Sequence, residues 1–156
     1  MNNADDPTQI AAVATLLELE YAVVYGLAAG AGQLTPHATA GTSVADAVTK
    51  TSASYDQHRL RRDRLIAALR ASNASVPDPL PAYRVTRSDQ PGALLAFLAE
   101  LGRSTISGYR SGLGSLTDAG LRADAVAAVI EASRYRTAML IAAGQTADAA
   151  APALPS

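Results

Sequence analysis

The sequence predicts an all-α domain of four long helices, arranged as two hairpins joined by one long crossover. Three observations carry that expectation. Apolar residues recur at three- and four-residue intervals over long stretches, the period of a helix with one buried face. Hydrophobic residues make up 49 % of the chain, yet there is no Trp and a single Phe, Phe97, so the core must be built from Ala, Leu, Val and Ile, a composition that favours packed helices. The third is Pro77, Pro79 and Pro81, gathered in one block between the two halves.

The first helix is expected from Pro7 to Gly30. Asp5-Asp6-Pro7 supplies an acidic cap and then a proline at the first helical position, where its missing N–H costs nothing. Ile10, Val13, Leu17, Val24 and Leu27 follow at helical spacing, and Gly30-Ala31-Gly32 reads as the stop. A loop with Pro36 and Gly41 leads to Ser43, a cap for the second helix, which runs to about Ser72. Asn73 to Gln90 is a stiff, extended connection. Asp89 caps a third helix from Pro91 to about Leu113. Gly114-Ser115-Leu116-Thr117 is a tight turn, and Thr117 or Asp118 opens a fourth helix that ends near Gly144. One domain over residues 1–144 and an Ala/Pro-rich flexible tail over 145–156 complete the organisation.

Connection lengths decide the topology. A helix the length of the first spans about 36 Å. The Pro-rich stretch can reach about 55 Å when extended. It is long enough to cross the whole bundle and let the third helix run parallel to the second, while the other two links suit antiparallel neighbours.

Composition excludes several functions. With no Cys there are no disulfides, thiolate metal sites or thiol nucleophiles. The polar N-terminus has no signal-peptide pattern, and no uninterrupted apolar run of about 18 residues suggests a membrane span, so the expected setting is cytoplasmic. A net charge of −1 offers no electrostatic basis for nucleic-acid binding.

Polar residues on apolar stripes are the candidate functional residues. Glu20 lies with Val13, Leu17, Val24 and Leu27. The second helix reads Val44, Val48, Thr51, Tyr55, His58, Arg62, Leu65, Leu69. The third reads Leu94, Leu98, Leu101, Gly102, Thr105, Tyr109, Leu113. In the fourth, Glu131 and Arg134 lie with Ala127, Ala138 and Ile141.

The runs from Leu17 to Gly26 and from Tyr55 to Asp63, with the Pro-rich crossover, Tyr109 and Arg134-Tyr135-Arg136, resemble an actinobacterial ferritin-like domain family of unknown function. The resemblance covers nearly the whole chain. It implies a ferritin-like four-helix bundle with the crossover between helices 2 and 3, and it supplies no activity. The wider superfamily holds two metal ions with a Glu from each of two helices and a Glu-x-x-His from each of the others. Set against that pattern, Glu20, His58 and Glu131 are retained. Tyr55 stands for the first motif's Glu, Gly102 for the third helix's Glu, and Arg134, always protonated, for the second His. The expectation is a degenerate metal site that binds no metal or cofactor, replaced by a buried polar network of Glu20, Tyr55, His58, Arg62, Tyr109, Glu131 and Arg134. The expected role is a non-catalytic binding or scaffold domain, a homodimer, with a small anionic ligand on the core arginines as a further partner. The alternative is a metal-dependent oxidoreductase or iron-binding protein with a rearranged carboxylate/histidine site. His37 and the basic run His58 to Arg64 read as surface features.

Overall fold

The computed structural model describes residues 6–146 and Ala149. It is all-helical: α1 (Pro7–Leu34), α2 (Ser43–Ala71), α3 (Pro91–Gly112) and α4 (Ala119–Ala142), with short 3-10 turns at Thr35–His37 and Leu113–Ser115. The tail expected over 145–156 lies outside the described residues apart from Gln145, Thr146 and Ala149.

Helix starts follow side-chain capping. The Asp6 carboxylate accepts from the Thr8 amide at 2.9 Å, and Asp118 from that of Leu121 at 2.8 Å. Two expected caps move by one residue. Thr42, not Ser43, caps α2 by accepting from Ala45 N. Gln90 rather than Asp89 precedes α3, and it makes no side-chain cap. Gly30-Ala31-Gly32 does not end α1. Of the described glycines, only Gly41 and Gly144 have a positive φ, so Gly30 never takes the left-handed turn that a glycine stop requires. It is instead a contact: a Cβ there would lie 2.6 Å from Leu98 Cδ2.

The close contacts give the topology. Gly26 and Gly30 of α1 meet Leu101 and Leu98 of α3, whereas Gly108 and Gly112 of α3 meet Leu19 and Leu16. α1 and α3 are therefore antiparallel. Thr51 of α2 meets Tyr135 of α4, and Arg64 meets Asp124, so α2 and α4 are antiparallel as well. With α1–α2 and α3–α4 as hairpins, α2 and α3 run parallel. Residues 72–90 make the crossover this demands, and they are strapped along α1. Tyr21 Oη donates to Pro77 O at 3.1 Å, Tyr25 stacks obliquely on Tyr83 at 5.5 Å, and Gln33 donates to Thr86 O and accepts from Ser88 N.

The core has two apolar halves. Val23, Leu27, Leu34, Leu94, Leu95, Leu98 and Met139 fill one; Val13, Leu16, Leu17, Leu65, Leu69, Leu116 and Ala128 fill the other. Between them lies a polar layer containing Glu20, His58 and Thr105. The segment Pro7–His37 is long and apolar enough to cross a membrane by length and composition, although no uninterrupted apolar run marks it. In the bundle its Leu16, Leu17, Val23 and Leu27 are buried against the other helices.

Candidate functional site

The polar layer is organised by Glu20. One turn from Leu17 on the inner face of α1, its side chain is fully buried. Burying a carboxylate costs several kcal/mol unless donors replace its hydration. Two do so. His58 of α2 donates from Nδ1 to Oε2 at 2.6 Å, and Tyr109 of α3 donates its hydroxyl to Oε1 at 2.5 Å. Each carboxylate oxygen thus has its own short, charge-assisted bond from a different helix. Burial and the neighbouring Glu20 charge push the Tyr109 hydroxyl above its ordinary range, which keeps it a donor.

A second polar contact lies one step along the bundle. Thr51 is fully buried, and its hydroxyl donates to Ala47 O at 2.7 Å. It accepts from the Tyr135 hydroxyl at 3.0 Å, and burial raises Tyr135 above the usual tyrosine range.

Several residues expected in the buried network are placed elsewhere. Arg62 turns outward and pairs with Asp63 at 2.7 Å. Arg61, which the stripe reading omitted, is the buried arginine, with a side chain 8 % exposed, and it pairs with Glu131 of α4. Glu131 is not a core acid: its side chain is 47 % exposed. Tyr55 is half-buried beneath the Arg59 guanidinium, 5.6 Å from the ring centre, and has no bond to Glu20. Arg134 is exposed. The shift in α4 has one cause. Its buried face is Ala125, Ala128, Ala132, Tyr135 and Met139, not Ala127, Ala138 and Ile141. An alanine-rich helix gives little size contrast between neighbouring stripes, and the expected face was rotated by about one position, roughly 100°.

These positions test a di-metal group. Glu20 and His58 are adjacent, but both Glu20 oxygens already accept hydrogen bonds. A Cβ on Gly102 would meet Ala132 O at 3.2 Å and Arg136 Cβ at 3.0 Å, leaving no room there for a carboxylate. Glu100, the nearest acid on α3, bonds Arg103 at the surface, and that guanidinium holds its carboxyl below the usual range. Among the described residues no three His, Asp or Glu side chains converge. The donors present do not fit two bridged cations.

A groove opens between α2 and α4 beside this layer. Its volume is about 300 Å³. Ala53, Ala132, Ala138 and Tyr135 form its apolar walls, with His58 among its lining residues and Lys50, Arg61, Glu131 and Arg134 as its charged groups. Sequence reasoning did not find the groove, because neither helix alone shows that small residues face each other across the seam.

A family model described as a domain of unknown function (DUF4439) matches residues 11–155. The chain belongs to this family. A crystal structure of a conserved hypothetical protein, rv2844, from Mycobacterium tuberculosis is similar over 97 % of this chain and 98 % of that one, with a TM-score of 0.74 and 19 % identity. At that identity the likeness shows the shared fold of this DUF4439 domain and nothing about its chemistry. No curated protein matches.

Proposed function

We propose that this DUF4439 domain is a non-catalytic, ferritin-like binding domain in which a buried polar network occupies the position of a di-metal centre. One observation carries the reading: both oxygens of the buried Glu20 carboxylate accept hydrogen bonds, from His58 and from Tyr109. A metal ligand must present a lone pair to the cation, and each Glu20 oxygen here already commits one of its two to a protein donor. The Gly102 contact with Ala132 O and Arg136 supports the same reading, as does the use of Glu131 by Arg61. A homodimer in a cytoplasmic setting belongs to this proposal. Val126 and Ile130, each 46 % exposed and one turn apart on α4, are apolar surface that a second copy would cover.

Elemental analysis of protein expressed with added iron and manganese tests the central point. The expected result is far less than one metal per chain. Stoichiometric metal that disappears in His58→Ala would overturn the proposal. Sedimentation equilibrium of the wild type and of Ile130→Glu tests the dimer: a dimer is expected for the first and a monomer for the second.

A further inference from the structure

We infer that the α2–α4 groove is a binding site for a small monocarboxylate with an apolar body. This inference rests on the metal-free binding-domain reading above and names its ligand class.

Three observations converge. The first is shape. Ala53, Ala132 and Ala138 carry only methyl side chains and leave the space between the two helices unfilled, and the resulting volume of about 300 Å³ sits at the lower end of the roughly 300–1,000 Å³ usual for small-molecule pockets. Alanine methyls and the Tyr135 ring give an apolar wall that suits the hydrocarbon body of a ligand, while Ser54, Gln57 and the charged groups supply the polar part of the lining.

The second is charge. Lys50, Arg61 and Arg134 line the groove against one carboxylate, Glu131. Arg61 uses Glu131 as its partner. Among the described residues, Lys50 and Arg134 form no ion pair. They therefore leave uncompensated positive charge beside the apolar cleft, suited to a carboxylate at one end of an apolar molecule.

The third is His58. Only 4 % of the residue is exposed, and its Nδ1 is held by Glu20. The fixed ring presents its remaining nitrogen, Nε2, without a protein partner, and His58 lines the groove. Among the described residues no fully buried side-chain nitrogen or oxygen lacks a partner, so Nε2 is open to the groove and free to meet a ligand there. A ligand carboxylate, which can only accept, takes a hydrogen bond from Nε2–H of the doubly protonated ring while Nδ1–H stays on Glu20.

The chain has two histidines, and His37 lies in the turn after α1, away from the groove. Histidine-labelled protein therefore gives a two-signal NMR experiment with an internal control. Titration with hexanoate is expected to move the His58 ring signals saturably and to leave those of His37 in place. Arg134→Gln and Lys50→Gln, both at exposed positions, should each weaken the midpoint by about fivefold. Ala53→Trp, which fills the groove from an exposed position, should abolish the shift. The inference is overturned if 1-hexanol titrates His58 with the same midpoint, because charge then has no part. It is also overturned if inorganic phosphate matches hexanoate, because the apolar wall then has none, or if hexanoate leaves His58 unmoved. An unchanged midpoint in Arg134→Gln likewise overturns it. Metal content of the same preparation separates this outcome from the parent reading: metal-free protein that ignores hexanoate fails only the ligand assignment.

Discussion

Glu20 is the residue on which the bundle's polar chemistry turns, and its neighbours should not be equally replaceable. His58→Ala removes the donor to Oε2 and leaves a buried carboxylate half-compensated. A loss of about 3–5 kcal/mol in urea unfolding is expected, as where a buried charge is left without its partner. Tyr109→Phe removes one hydrogen bond but keeps the ring that packs in the core, so about 1.5–3 kcal/mol is expected. The order of the two variants is the test: a Tyr109→Phe loss larger than that of His58→Ala would contradict the proposed division of roles. At this scale the sequence located Glu20, His58 and Tyr109 but mistook Arg62 for Arg61. Residues three and four positions on from His58 flank the same line on a helix, about 100° apart. Which one turns inward depended on Glu131, which approaches from another helix.

Within α1, two glycines two positions apart should respond in opposite directions. Gly30 packs against Leu98, a fully buried residue, so Gly30→Ala forces a clash in the core. Overpacking of that kind costs about 1–3 kcal/mol, more than the helix-propensity gain of up to about 1 kcal/mol. A Cβ at Gly32 meets nothing within 4 Å, so only the propensity gain remains and Gly32→Ala should stabilise. Thermal unfolding of the two single variants checks the contrast, and stabilisation in both would show that the α1–α3 contact yields easily. The four helices were legible in the sequence because their periodicity is long. Their ends were less so. Gly30 has the composition of a stop and the job of a helix contact, and only the presence of α3 distinguishes the two.

Across the whole molecule, Tyr109 and Tyr135 couple stability to alkaline pH. Both hydroxyls are buried and held above the ordinary tyrosine range in the fold. The unfolded chain releases these protons near pH 10. Above that point the unfolded state binds fewer protons than the fold, so stability is present below about pH 10 and lost as pH rises through it. The slope approaches about 1.4 kcal/mol per pH unit for each tyrosine. Urea midpoints at pH 9 and pH 11 should fall steeply for the wild type and less for the Tyr109→Phe/Tyr135→Phe variant. An equal fall in both would assign the alkaline loss to other groups. The crossover acts at the same scale: Gln33 and Tyr21 tie residues 77–88 along α1. Gln33→Ala should raise amide exchange at Ser88, read by hydrogen-exchange mass spectrometry.

Sequence by itself determined four helices, the two hairpins and the crossover, because helical period, proline placement and connection length are local properties of the chain. It also singled out Glu20 and His58, since polar side chains among leucines and valines stand out on a helix of strong contrast. Tertiary structure alone decided who meets whom. It turned Arg61 in and Arg62 out, moved Glu131 to the surface, and rotated the buried face of α4 to Tyr135 and Met139. It also opened the groove where Ala53 faces Ala132 and Ala138. The physical reason is that an alanine-rich helix has no strong stripe of its own. Its orientation is set by the shapes and charges of the helices it packs against, and these are brought together only by the fold.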